Sequence, residues 1–187
     1  MVFFTQSLWA QPDMGHLEME AGRPDFHLDA ITLLSENAEK TSLTVYAEIV
    51  HDNLMFVRSA RGFEANYEID LSILIGEEDN GPRLENRIWR SKVVVQEFDL
   101  TNARDRYDVS EVTLEIPAGT YTIVATLTDL ESKRVGEARR QIRVASYAQA
   151  GLRLADLLLA KNVNVDADGL LEITPNVNRV VQNSQGE

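Results

Sequence analysis

Apolar and polar positions alternate with a period of two along most of this chain, the pattern of strands with one buried face rather than of helices. Leu43, Val45, Ala47 and Ile49 interleave with Thr44, Tyr46 and Glu48. Ala65, Tyr67, Ile69, Leu71, Ile73 and Ile75 interleave with Asn66, Glu68, Asp70 and Ser72. Trp89, Ser91, Val93 and Val95 form a third run, with Arg90 and Lys92 facing the other way. Val112, Leu114 and Ile116 give a fourth, and Tyr121, Ile123, Ala125 and Leu127 a fifth, with Thr122, Thr126 and Thr128 outward. A weaker run covers Arg134 to Val144, and an early one covers Phe26 to Leu34.

Turn-forming residues separate these runs: Asp52-Asn53, Arg61-Gly62, the stretch Glu77-Glu78-Asp79-Asn80-Gly81-Pro82, Ala118-Gly119 and Glu131-Ser132-Lys133. Connections this short predict antiparallel neighbours. Single buried faces must then cover one another. The expected fold is all-β: a two-layer antiparallel β-sandwich of the immunoglobulin or fibronectin type III plan, with about seven strands and little helix. Leu152 to Ala160 (LRLADLLLA) is expected to form a short helix or a last strand packed on the sandwich edge.

The domain reading follows. Residues 1–24 hold an apolar start, MVFFTQSLWAQ, read as the remnant of a signal peptide with Leu8-Trp9-Ala10 at its cleavage site, and then a loop segment. Residues 25–148 form the sandwich. Residues 149–173 are a C-terminal extension with an acidic turn, and residues 174–187 (TPNVNRVVQNSQGE) a truncated linker.

Charge narrows the partners. The chain has 187 residues and a net charge of −12, which repels phosphate backbones and anionic membrane surfaces. No nucleic acid is expected as a partner. Cysteine is absent, which removes disulfides, thiolate metal sites and cysteine nucleophiles. No apolar run approaches the ~20 residues that span a bilayer.

Chemistry is sparse. Pro117-Ala118-Gly119-Thr120-Tyr121 places a tight turn before a strand that opens on tyrosine. In sandwich domains such a tyrosine turns its hydroxyl back to nearby backbone, so Pro117, Gly119 and Tyr121 are assigned a structural role. His16, His27 and His51 lie apart and read as isolated surface or edge residues. Asn164-Val165-Asp166-Ala167-Asp168-Gly169 opens like a calcium loop, but the twelfth position, which needs an acidic ligand, is Pro175. Arg104, Asp105 and Arg106, and the Arg139-Arg140 pair, read as surface charge. No catalytic residue, metal ligand or cofactor is assigned, and the chain is expected not to be an enzyme.

The order and spacing of several stretches resemble the N-terminal β-rich region of bacterial GWxTD domain-containing proteins. These are Phe26 to Ala30, Thr41 to Ile49, Leu54 to Val57, Gly62 to Glu68, Ile116 to Asp129, Leu130 to Ser132 and Leu152 to Ala160, within residues 25–181. The Gly-Trp-x-Thr-Asp motif itself is absent, since neither Trp9 nor Trp89 follows a glycine. The resemblance implies a sandwich in an exported protein, in the periplasm or cell envelope, and no activity. The expected function is a non-catalytic structural or protein-interaction module. Its partners would be proteins or other domains of the same longer chain, met through the Asp52–Asn53, Glu77–Pro82 and Glu131–Lys133 loops. Arg58, Arg61 and Lys92 are expected to guard open strand edges. The alternative is a carbohydrate- or Ca-binding module using Tyr46 and Trp89 as surface aromatics with Asp166 and Asp168.

Overall fold

A computed structural model describes residues 24–78, 80–147, 154–165 and 169–178. All but Pro24 of the expected segment 1–24, Asp79, residues 148–153 with the first two positions of the expected Leu152–Ala160 element, the carboxylates Asp166 and Asp168, and residues 179–187 lie outside the described residues.

The described chain is built from strands: β1 (His27–Leu34), β2 (Thr41–Val50), β3 (Val57–Ser59), β4 (Gly62–Ile75), β5 (Arg83–Val95), β6 (Tyr107–Ile116), β7 (Gly119–Asp129), β8 (Val135–Val144), β9 (Ala160–Val165) and β10 (Leu171–Pro175). All pairings are antiparallel. One sheet runs β1-β2-β6; the other runs β5-β4-β7-β8, with the short β3 also on β4. The seven runs of alternating sequence are the seven long strands of these two sheets. The fold is an all-β sandwich.

Register makes the sandwich. Ile69 lies opposite Leu127, Leu71 opposite Ala125 and Ile73 opposite Ile123, so β4 and β7 present one continuous apolar face. β2 offers Leu43, Val45, Ala47 and Ile49 from the facing sheet, and together these residues form the main core. Each fully buried Leu or Ile contributes roughly 1.5–3 kcal/mol relative to an exposed one. Two glycines are fixed by close approach. Gly62 has φ +117°, and a Cβ there would strike the Val95 carbonyl oxygen. A Cβ on Gly136 would strike the carbonyl oxygen of Pro24, which lies against β8.

Three expectations need correction. β2 is buried on both faces, not one, because the chain beyond β8 returns over the outside of β1-β2-β6. There Leu158 and Val177 close a second apolar cluster with Ile31, Tyr46 and Val109. Next, residues 154–159 form no helix and lead directly into β9. Leu154 and Leu157 stand 85% and 86% exposed, while Leu158 packs against the second cluster. Finally, the boundary expected before Thr174 falls inside structure, since β10 runs through Pro175 and Val177 is buried. Thr174, Asn176 and Asn178 are polar, but Val177 between them seats in the apolar cluster beneath.

Candidate interaction surfaces

The three candidate loops divide between the two ends of the sandwich. Asp52–Asn53 and Glu131–Lys133 meet at one end, joined by Asp129, a fully buried carboxylate at the end of β7. Its Oδ2 accepts the Met55 amide at 2.7 Å, and its Oδ1 accepts the amides of Glu131 and Ser132 at 2.9 and 3.1 Å. Arg134 reaches it at 3.9 Å and donates to the Asn53 carbonyl at 3.5 Å. Sequence reading missed Asp129. Its local signal is an aspartate followed by Leu-Glu-Ser-Lys, the composition of a turn that an Asx side chain organises. At the same end His51 is buried, against expectation, because its Nδ1 lies 3.0 Å from the Leu100 carbonyl and its ring packs on Phe56. Arg104 pairs with Asp52 at 3.0 Å on the surface.

Glu77–Pro82 sits at the opposite end, beside the predicted corner. Gly76 donates to Thr120, Thr122 donates back to Gly76, and Gln141 donates to the Glu77 carbonyl. The Tyr121 hydroxyl donates to the Pro117 carbonyl at 2.9 Å. A Cβ on Gly119 would come 3.0 Å from that hydroxyl, a tight contact that the ring could relieve only by shifting a few tenths of an ångström. Burial pushes the Tyr121 hydroxyl pKa up.

Polar seams close both flanks of the sandwich. On one flank Arg140 of β8 pairs with Asp29 of β1 at 2.9 Å, so Arg140 is no surface charge. On the other, Tyr67 of β4 donates to Asp108 of β6 at 2.5 Å, and the Trp89 indole N–H donates to Ser110 at 2.6 Å. Burial, followed by the Asp108 charge, raises the Tyr67 pKa far above its ordinary value.

Neither aromatic of the carbohydrate alternative is freely displayed. Tyr46 is 8% exposed beneath the returning chain, with its pKa raised by burial and then by Glu111 and Asp29. Trp89 is half-buried with its N–H engaged. Among the edge guards, Lys92 bonds Glu64 at 3.1 Å and Arg61 lies 4.0 Å from it, whereas Arg58 is exposed on β3. The Lys92 hydrogen bond, then that of Ser59, holds the Glu64 carboxyl below its ordinary pKa. Among the described residues no three acidic or histidine side chains converge as a metal site.

The returning chain makes the remaining surface. Asp156 meets the open edge of β1: its carboxylate accepts the Thr32 amide and hydroxyl at 2.8 Å each, and its amide donates to the Thr32 carbonyl at 3.1 Å. Lys161 reaches Glu48, which is 1% exposed, at 2.7 Å, and lies 3.7 Å over the Tyr107 ring. Asn178 donates to the other Glu48 oxygen at 3.2 Å. Beyond Lys161, β9 and β10 form a two-stranded ribbon. Val163 lies opposite Ile173 and Val165 opposite Leu171, and all four are exposed.

The sequence matches no protein-family model and no curated protein. Among solved structures, the chain is similar to a Bacteroides uniformis β-glucuronidase at 13% identity and a TM-score of 0.44, over 63% of this chain and 13% of that one. It is also similar to Bacteroides uniformis β-glucuronidase 2, covalently bound to cyclophellitol-6-carboxylate aziridine, at 12% identity and a TM-score of 0.42, again over 63% and 13%. This chain therefore spans about an eighth of their length. Among the described residues no helix is long and apolar enough to cross a membrane.

Proposed function

We propose that the chain is a non-catalytic structural or protein-interaction module of an exported bacterial protein, related to the β-rich region of GWxTD domain-containing proteins. The immunoglobulin or fibronectin type III plan belongs to this reading. It is supported by a three-stranded sheet facing a four-strand order, and by a tyrosine tied to the turn before its strand. The buried and half-buried acidic side chains act structurally here: Asp129 ties two loops, Asp29 and Asp108 tie the two sheets, and Glu48 holds the returning chain.

The observation that carries the interaction role is the exposed apolar face of the β9–β10 ribbon. Two strands alone form a marginal sheet, and stable ribbons bury such a face against a further layer. Contiguous apolar surface of this kind marks contact with protein. Protein partners, or other domains of the same longer chain, would supply that layer. The test is a pull-down from envelope extract with the full chain and with its V163D/I173D variant. The wild type should retain a partner that the variant loses. Equal recovery by both, or recovery of nothing by either, would sink this reading. A thermal-shift series with Ca²⁺ and glycans addresses the carbohydrate or Ca-binding alternative, and no shift is expected.

A further inference from the structure

We propose that the returning chain, with contacts at Asp156, Leu158, Lys161, Val177 and Asn178, is an exchangeable strap, and that a second copy of this protein can supply it in trans. Three observations lead there. No strand ladder joins β9 or β10 to β1-β2-β6; among the described residues, backbone bonding between strap and sandwich is the single Asp156 to Thr32 bond. Among the described residues the apolar contact is Val177 and Leu158 on Ile31, Tyr46 and Val109, beside the Tyr147 hydroxyl on Thr32, while Leu154 and Leu157 face solvent. An element held this way opens at a fraction of the free energy of global unfolding.

The third observation identifies the occupant. The surface left open would present the Thr32 edge and the Glu48 carboxylate, a donor–acceptor pair and an anion at a fixed spacing. The matching chemistry is an extended segment carrying an acidic residue and a lysine as Asp156 and Lys161 are carried. A second copy of the chain holds that segment by construction, because every contact already made in cis is available in trans. Exchange of an identical element is a low-cost route to a dimer.

Charge reversal tests this on the full chain. Glu48→Lys alone and Lys161→Glu alone each place like charges at the latch. Mixed in equal amounts, each body meets the other chain's strap with opposite charges. Light scattering should show a doubling of mass in the mixture, while the cis double variant E48K/K161E stays monomeric and confirms that both positions tolerate the change. A mixture with no dimer, alongside a folded double variant, overturns the proposal. If the reversed variants do not fold in any combination, hydrogen exchange of the wild type decides. Thr32 and Asp156 amides that open at denaturant concentrations leaving Ile69 and Ile123 closed support a strap, and opening at the same concentration overturns it.

Discussion

Asp129 shows how one side chain can set the shape of an end. Met55 and Asp129 are 74 residues apart in sequence, and the carboxylate joins them while also ordering Glu131 and Ser132. Asp129→Ala would leave three amide donors to find partners in a buried site, where each unsatisfied group costs about 1–3 kcal/mol. The expected loss is roughly 3 kcal/mol or more, read by chemical denaturation. Tyr67 gives a second prediction at this scale. Its folded pKa is raised above the ordinary value of 10.0, so its contribution is fully present below that pH and is lost as the pH climbs beyond it. Alkaline titration followed by phenolate absorbance should therefore show Tyr67 ionising only as the fold opens, and Tyr67→Phe should lessen the loss of stability above about pH 10. Pro117, Gly119 and Tyr121 could be singled out from sequence because the corner is local. His51 and Arg140 could not, since their partners are distant in the chain and nothing near them records the pairing. For Asp129 the turn bonds to Glu131 and Ser132 are local, whereas the bond to Met55 is not.

Among the elements, legibility tracked periodicity. The long strands announced themselves because each packs at least one face on a common core, and the period of two records that packing. β3 is too short to show a period. The strap shows none because its contacts are individual: a carboxylate on a strand edge, a lysine on a buried glutamate, one valine in a small cluster. What the sequence did hold was an unread hint in β2, whose outward set Thr44, Tyr46 and Glu48 includes a large aromatic that prefers cover. The core strands also set the scale of substitution costs. Leu71→Ala, at a fully buried position between β5 and β7, should cost about 2–5 kcal/mol. Ile88→Ala, on an exposed position of β5, should stay within about 0.5 kcal/mol. Thermal or denaturant unfolding of the two variants side by side checks the contrast, and equal costs would contradict the placement of the two faces.

Across the whole molecule, the two flanking seams do something the core cannot. Apolar contact is non-directional and resists separation of two layers far more than it resists their sliding. The Arg140–Asp29 and Tyr67–Asp108 bonds lie on opposite flanks, and each is directional. They act as rivets that permit one alignment of the layers and penalise shear in either sense. A variant with both removed, Y67F/R140M, is expected to stay compact and β-rich yet sample neighbouring alignments, seen as broadened amide resonances along β1 and β6. Under load, then, this body should yield by slippage only after a rivet fails, which makes the flanks rather than the greasy interior the determinant of its mechanical stiffness.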